Sequence, residues 1–180
     1  SITGFGQTGP RSQEPGYDLA LQAMSGIMSI NGEEGGGPVK VPVAWIDVIT
    51  GLYAGNAILS ALFHRERTGK TTHLDISLWD CAIASLVNQG QNQLISGQNP
   101  PLLGSGHPNL VPYQAFKAKD GWVVIAVGSD SQFEKLCDAL ELENIWKTNQ
   151  ERVNSREKLV EVIQSKTIDL TRDEVCNLLQ

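Results

Sequence analysis

Two carboxylates stand where the sequence predicts that helices begin, and this position suggests chemistry. Asp47 follows the apolar run 41–46 and precedes a long helical pattern. A carboxylate there lies at the positive end of the helix dipole, which keeps it ionised. An ionised, poorly solvated carboxylate can attack a carbonyl carbon and form a mixed anhydride. The alternative is that Asp47 only caps the helix by accepting hydrogen bonds from its unpaired N–H groups.

The second carboxylate is Asp18, which Tyr17 precedes. Both follow the turn-forming pair Pro15-Gly16 and open a helical pattern. An acid in a first helical turn interacts favourably with the dipole, so Asp18 is a second candidate for a site. The alternative is an ordinary first-turn acid beside a buried tyrosine.

Two glycine-rich segments, residues 32–37 and 104–107, are the third candidate. Neither has the G-x-G-x-x-G spacing after a strand or the P-loop pattern, so neither indicates a nucleotide-phosphate site. Segments of this kind act as flexible lids in some enzymes. An ordinary surface loop is the alternative.

The other residues that could do chemistry lack the partners that the chemistry needs. His64 and His73 have no ligand partner at metal spacing, so we expect no metal site. The chain has no G-x-S-x-G elbow, which disfavours a serine hydrolase. Three scattered cysteines predict neither a disulfide framework nor a metal cage, and they fit a reducing compartment.

The composition argues against several classes of function. The 180 residues carry 20 acidic and 14 basic side chains, a formal net charge of −6. An acidic chain without a basic run is not expected to bind nucleic acid or anionic membranes. We also expect no membrane span, since no apolar stretch approaches the roughly 20 residues needed. Residues 1–20 lack the basic and apolar regions of a signal peptide.

Periodicity and turn signals predict the elements that must hold the candidate residues. Apolar residues at helical spacing predict helices, and β-branched or alternating runs predict strands. The predicted helices cover residues 17–28, 48–67 and 78–95, and a strand is predicted over residues 72–77. Residues 39–46 are predicted to form either a buried strand or an extended segment that approaches the next helix. Residues 97–112, rich in Gly and Pro, predict a linker between two domains.

The pattern changes after the linker. Asp120-Gly121 predicts a hairpin between strands 113–118 and 122–127. Three short helices follow, and capping-box spacing marks the start of two of them, at Asn154 with Glu157 and at Thr171 with Glu174. We therefore predict an α/β fold class, with residues 1–96 before the linker and residues 113–180 forming a second, smaller α+β element.

Taken in order, these motifs resemble those of the class III CoA-transferase family, also called the CaiB/BaiF family. The resemblance extends over about residues 1–165 and is closest to the succinyl-CoA–glutarate CoA-transferases within the family. The motifs that carry it are residues 3–10, 15–18 with Gln22-Ala23 and Ser25-Gly26, Asp47 with Gly51, Ala54 and Ala61-Leu62, then 50–54, 67–70, 75–78, 111–116 and 119–121.

The resemblance implies a reaction and a set of site residues. CoA is expected to move between an acyl-CoA and a free carboxylic acid, here a dicarboxylic acid, through an aspartyl–CoA thioester. Asp47 takes the position of the nucleophile, Asp18 that of a supporting acid, and Tyr17 that of a substrate-binding residue. The glycine-rich loop expected to close over the acyl-enzyme corresponds to Gly104, Ser105, Gly106 and His107. Coenzyme A is a substrate, and no cofactor or metal is expected.

The resemblance also implies the architecture and the setting. It predicts a Rossmann-like large domain and a small domain, in two chains that interlock as a homodimer. Acyl-CoA and a carboxylic acid are the expected partners, and neither nucleic acid nor a membrane is expected. The expected location is the cytoplasm, or the mitochondrion in a eukaryote.

Two departures from the family pattern keep alternatives open. The α-methylacyl-CoA racemases of the family carry a histidine directly before the acid, because proton exchange at Cα needs a second acid/base. Tyr17 stands at that position, which favours a transferase over a racemase or epimerase. A full family member is about twice this length, so we expect an internal fragment. A non-catalytic, self-associating fragment is therefore the third possibility.

Overall fold

The chain contains both helices and strands and divides into two compact units. A computed structural model describes residues 1–179. The first unit runs from Ser1 to Gly104, and the second begins at Ser105. The boundary between the units lies inside the predicted linker, residues 97–112. The domain limits of residues 1–96 and 113–180 remain predictions.

The first unit is mostly helical and contains a short parallel strand pair. Its strands pair with Ile2 opposite Ile76 and Thr3 opposite Ser77. The elements in chain order are β1 (Ile2–Thr3), α1 (Asp18–Met24), α2 (Ile27–Ile30), α3 (Trp45–Thr68), β2 (Ile76–Ser77), α4 (Leu78–Ala84) and α5 (Val87–Ser96).

Several elements predicted for this unit are shorter than expected. Of the two alternatives for residues 39–46, the strand is wrong: residues 39–44 are irregular and α3 already begins at Trp45. The strand expected over 72–77 is limited to Ile76 and Ser77, which pair with β1. The helices predicted over 17–28 and 78–95 are each broken, the first at Gly26 (φ 92°) and the second before Val87 (φ 47°).

A close approach of two chain segments fixes the start of α1. A Cβ atom on Gly4 would lie 2.7 Å from Cα of Gly16, and one on Gly16 would lie 2.5 Å from Cα of Gly4. Contacts this short leave no room for a side chain on either residue, so both positions require glycine. The segment after β1 is thereby held directly against the residue before Tyr17 and Asp18.

The core of the first unit lies under the N-terminal turn of α3. Its buried residues are Leu21, Ile27, Ile46 and Ala82. Residues from α1, α2, α3 and α4 thus meet at one point, and burial of large apolar side chains stabilises by roughly 1.5–3 kcal/mol each. The core therefore anchors the end of α3 that carries Asp47.

The remainder of α3 is apolar and largely exposed. By length and composition alone, residues 45–68 are long and apolar enough to cross a bilayer. The sequence had predicted no such segment. Core helices of soluble proteins meet the same criterion. Only 17% of its most apolar window is buried. The large apolar side chains that it exposes are Val48, Leu52, Tyr53, Ile58, Leu59, Leu62 and Phe63. A contiguous apolar surface of this kind usually contacts another part of the protein or a partner.

The second unit packs helices against a two-stranded hairpin, which confirms the predicted hairpin. Tyr113 lies opposite Ala126 and Ala118 opposite Gly121. Its elements, as far as residue 179, are β3 (Tyr113–Ala118), β4 (Gly121–Ala126), α6 (Asp130–Ala139), α7 (Asn149–Asn154), α8 (Arg156–Thr167) and α9 (Arg172–Leu179). One face of the hairpin contributes Phe116, Val123 and Ile125 to the core of this unit.

The helix starts of this unit were predicted only in part. Thr171 and Glu174 form the predicted reciprocal hydrogen bonds at the start of α9. The pair Asn154 and Glu157 does not cap α8. A capping box that the sequence analysis missed lies one helix earlier, at the start of α7, where the Thr148 side chain and Glu151 pair reciprocally. These bonds satisfy N–H groups that a helix start otherwise leaves unpaired.

Candidate functional site

The Asp18 carboxylate caps the N-terminus of α3. Ile46 N donates a hydrogen bond to Asp18 Oδ1 at 2.7 Å, and Asp47 N donates to the same oxygen at 3.4 Å. Asp18 thus satisfies N–H groups of a helix that lies well beyond it in the chain. The alternative that Asp47 is the cap is therefore wrong, because a carboxylate from α1 performs that role.

Asp47 is the third residue of α3, and its side chain is exposed. Among residues 1–179, no group donates a hydrogen bond to its carboxylate. The first turn of α3 holds the backbone of this residue and leaves both carboxylate oxygens free to react.

Gln22 joins Asp18 to the segment that leads into α3. Its side chain is completely buried. Nε2 donates to Asp18 Oδ2 at 2.7 Å and to Val43 O at 3.4 Å, and Oε1 accepts from Val41 N at 2.8 Å. These bonds replace the strand pairing that was expected for residues 39–46, which explains why that segment approaches α3 without a sheet.

Gln22 was not among the predicted site residues, although the sequence contains a signal for it. Gln22 lies four residues after Asp18, and side chains at this spacing meet on one face of a helix. A buried amide beside a first-turn carboxylate was thus foreseeable from the helix predicted over 17–28. Its bonds to Val41 and Val43 were not, because they depend on how the chain returns.

Tyr17 lies at the start of α1, and 76% of its surface is exposed. The alternative of a buried tyrosine is therefore wrong. Its carbonyl accepts the first helical hydrogen bond of α1, from Leu21 N at 3.0 Å. The phenol stands next to Asp18 in the chain and is open to a ligand.

The two glycine-rich segments meet within the first unit at Gly104, a contact that the sequence did not predict. Gly104 N donates to Gly32 O at 2.9 Å. The Glu33 carboxylate packs so closely on Gly104 that any Cβ there would clash with it. Gly104 also has a φ of 55°, which favours glycine. Segment 32–37 thus fixes the start of the predicted loop.

The other three loop residues, Ser105, Gly106 and His107, belong to the second unit. Ala115 N donates to Ser105 Oγ at 3.0 Å, and His107 N donates to Tyr113 O at 2.9 Å. Arg156 Nη2 donates to His107 O at 2.8 Å, and burial lowers the pKa of its guanidinium. The loop is therefore attached to β3 and to the start of α8.

The described residues contain no preformed cation site. Across residues 1–179, no three His, Cys, Asp or Glu side chains are grouped so that they could hold a metal ion. The cysteines of this range are free, with Cys81 and Cys137 buried and Cys176 exposed.

Known proteins match nearly the whole length of the chain. The chain is 44% identical over 173 residues to a succinate–glutarate CoA-transferase of Agrobacterium fabrum, covering 93% of this chain and 43% of that protein. It is 42% identical over 171 residues to the human succinyl-CoA:glutarate CoA-transferase, covering 92% of this chain and 39% of that protein. The chain thus spans about two fifths of the length of these relatives.

Solved structures match the fold over the same range. A CaiB/BaiF family protein from Brucella suis superimposes with a TM-score of 0.77 at 43% identity, over 99% of this chain and 49% of that one. The family model of CoA-transferase family III matches residues 1–180. The chain belongs to CoA-transferase family III.

Proposed function

We propose that the protein containing this chain transfers CoA from an acyl-CoA to a free dicarboxylic acid, with Asp47 as the covalent nucleophile. The observation that carries the proposal is the first turn of α3. There Asp18 holds the backbone of Asp47 while the Asp47 carboxylate itself stays exposed and unpaired among the described residues. The relatives named above act on succinate and glutarate, which supports the dicarboxylic class.

The reaction needs only a carboxylate nucleophile and a leaving thiolate. An Asp47 oxygen attacks the thioester carbonyl and the C–S bond breaks. CoA departs as the thiolate, and an acyl–Asp47 anhydride remains. The thiolate then attacks the Asp47 carbonyl, which releases the donor acid and forms the aspartyl–CoA thioester. The acceptor carboxylate then attacks the aspartyl–CoA thioester and displaces CoA thiolate, which gives an anhydride between Asp47 and the acceptor. The thiolate attacks the acceptor carbonyl of this anhydride and releases the product acyl-CoA. The cycle restores Asp47 with no net proton transfer.

Each attack creates a tetrahedral oxyanion, which needs N–H donors aimed at it. We assign this role to backbone N–H groups of the loop that contains Gly104, Ser105, Gly106 and His107. The Gly104 N–H is already bonded to Gly32 O and the His107 N–H to Tyr113 O. The loop must therefore rearrange, or present the remaining N–H groups, when substrate binds.

The domain architecture, the assembly and the location of the protein belong to the same proposal. Residues 1–96 are expected to form part of a Rossmann-like large domain and residues 113–180 part of a small domain, in an interlocked homodimer. The exposed apolar surface of α3 supports cover by the rest of the protein or by a partner chain, which such an assembly would supply. Coenzyme A is a substrate, no cofactor is proposed, and a reducing compartment such as the cytoplasm suits the free cysteines.

Trapping the intermediate tests the proposal. A full-length protein that contains this chain is incubated with succinyl-CoA, treated with hydroxylamine and analysed by peptide mass spectrometry. An aspartyl thioester converts to a hydroxamate, which is expected on Asp47 and is expected to disappear when glutarate is added in excess before the trap. The matched control is Asp173→Asn, which changes another first-turn aspartate of an exposed helix. Transfer of CoA to glutarate without a label on Asp47 would rule out this nucleophile.

A further inference from the structure

Gln22 is a buried polar side chain close to the candidate nucleophile, and it is bonded to Asp18 although it does not touch Asp47. It is completely buried, and its amide makes three hydrogen bonds to two separate segments. Burying a primary amide costs free energy unless its donors and acceptor are all paired. Here both Nε2 protons have acceptors and Oε1 has a donor, so the amide orientation is fixed.

The consequence for Asp18 follows from its two oxygens. Oδ2 accepts from Gln22 at 2.7 Å, which leaves Oδ1 to accept from Ile46 N at 2.7 Å. The Gln22 amide therefore sets the rotation of the carboxylate that caps α3. Without that donor the carboxylate can rotate, and the cap no longer has one defined geometry.

The consequence for the approach to α3 follows from the other two bonds. Gln22 holds Val41 N at 2.8 Å and Val43 O at 3.4 Å, a few residues before α3 begins. One side chain thus positions the chain that enters α3 and, through Asp18, the first N–H groups of the helix. Displacement of reacting groups by about 1 Å can lower a rate by about a hundredfold.

We propose that Gln22 is a positioning residue for CoA transfer, which fixes the Asp47 backbone by orienting Asp18 and the 41–43 segment. The inference rests on the proposed function of Asp47. Gln22 is not assigned contact with substrate, and its effect on catalysis passes through two neighbours. A structural residue of the core would affect only stability, whereas a positioning residue affects the rate constant of a folded enzyme.

The charged surroundings of Gln22 allow a test through pH. Asp18 on α1 is its direct partner, Asp47 on α3 lies beyond Asp18, and Lys40 donates to the carbonyls of Val41 and Pro42. On α4, which packs against α1, Asp80 is bonded to Ser77 and Cys81 is buried. A carboxylate in place of the Gln22 amide would face Asp18 first.

The decisive variant is Gln22→Glu in a full-length protein that contains this chain. The substituted side chain keeps its size and can still accept from Val41 N, but when ionised it cannot donate to Asp18. We expect kcat for CoA transfer from succinyl-CoA to glutarate to fall by about a hundredfold at pH 8, with KM changed less than about threefold. Two carboxylates at one site raise one of their pKa values, so they share a proton as the pH falls. The ratio of variant to wild-type kcat is therefore expected to rise between about pH 8 and about pH 5.5.

Two further variants separate the positioning role of Gln22 from an effect of added charge and from an effect on folding. Gln13→Glu makes the same charge change on an exposed loop residue and is expected to leave kcat unchanged. Gln22→Met removes the three hydrogen bonds without adding charge, and amide hydrogen exchange at Ile46 and Asp47 is expected to become at least about tenfold faster. That measurement reports the cap directly and does not depend on activity.

The outcomes distinguish this inference from the proposed function. Wild-type protein without CoA transfer, or without a label on Asp47, would overturn the proposed function. An active wild type with a Gln22→Glu variant of normal kcat, or with a kcat ratio independent of pH, would overturn the role of Gln22 alone. Unchanged exchange at Ile46 and Asp47 in Gln22→Met would overturn it as well.

Discussion

Asp47 N donates a hydrogen bond to Asp18 Oδ1, so one acidic residue holds the backbone of the other. This relationship gives the two acids different roles although both lie in first helical turns. Asp18 is half-buried and bonded on both oxygens, whereas Asp47 is exposed. An acid that is saturated with hydrogen bonds is a poor nucleophile, and an acid without them is free to attack a carbonyl.

Replacing the cap should destabilise the first unit. Asp18→Ala removes the acceptor for Ile46 N and Asp47 N, and loss of an N-cap costs about 1 kcal/mol in the free energy of unfolding. Chemical denaturation of a full-length protein that contains this chain measures the loss. Asp173→Ala is the control, because the cap of α9 is formed by Thr171 and Glu174 instead. Equal stability of Asp18→Ala and wild type would show that the cap contributes nothing.

Removing the nucleophile should abolish transfer and spare the fold. Asp47→Asn replaces a carboxylate by an amide, which cannot form the anhydride or the thioester. CoA transfer from succinyl-CoA to glutarate is expected to fall below about a hundredth of the wild-type rate, since loss of a nucleophile usually costs far more than that. Circular dichroism and thermal unfolding should be unchanged, because the side chain is exposed. A rate above that limit would contradict the assignment.

Racemase activity should be absent or marginal. A tyrosine phenol is a much poorer proton acceptor near neutral pH than an imidazole. Tyr17 therefore cannot replace the histidine with which racemases exchange the Cα proton. The measurement is deuterium incorporation at Cα of a 2-methylacyl-CoA in heavy water, with and without Tyr17→Phe. Rapid exchange that survives this substitution would contradict the argument.

The second unit should depend strongly on Arg152. Only 1% of its surface is exposed, and it donates to Val111 O at 2.9 Å, to Trp146 O at 3.3 Å and to Asp130 Oδ1 at 2.6 Å. Arg152→Met leaves the carbonyls of Val111 and Trp146 without these donors, whereas the exposed Asp130 can bond to water. The loss is expected to cost about 3 kcal/mol in the free energy of unfolding, measured by chemical denaturation. Arg172→Met is the control, because its ion pair with Asp120 is exposed and worth at most about 1 kcal/mol.

The isolated 180-residue chain should associate. The apolar surface of α3 is exposed from Val48 to Phe63, and Leu94 and Ile95 of α5 are more than three quarters exposed. Apolar area of this extent is normally covered. Light scattering over a dilution series is expected to show dimers or larger species, together with binding of a hydrophobic dye. A stable monomer at tens of micromolar that binds no dye would contradict this expectation.

The sequence predicted the local features well, and the tertiary features only in part. The hairpin at Asp120-Gly121 and the cap at Thr171 are encoded by neighbouring residues, so pattern and turn chemistry were sufficient. The segment 39–46 has the composition of a strand, yet Gln22 provides the hydrogen bonds that a neighbouring strand would supply. Apolar periodicity carries no information about such a partner.

The candidate site also combines features that the sequence predicts with features that depend on tertiary contacts. Both acids could be selected from the sequence because each lies at a predicted helix start. Their relationship could not be predicted, because it depends on α1 lying against the first turn of α3. The exposure of Tyr17 and the contact between Gly104 and Glu33 likewise depend on the path of the chain between elements.

Two connections within the first unit differ greatly in the length of chain they span. The hydrogen bond from Ile46 to Asp18 joins residues 28 positions apart, whereas the β1–β2 pair joins Ile2 to Ile76. Loop-closure entropy makes the longer connection costlier by about 1 kcal/mol, and hydrogen bonds beyond the strand pair, from Trp79 N to Gly4 O at 3.0 Å and from Gln7 N to Asp75 Oδ2 at 2.8 Å, help to offset that cost. During synthesis, the hydrogen bonds among residues 18–47 can therefore form before β2 has been made, and Ala82 of α4 completes the core beneath them afterwards. Fraying of the strand pair would then leave the frame around Asp47 in place.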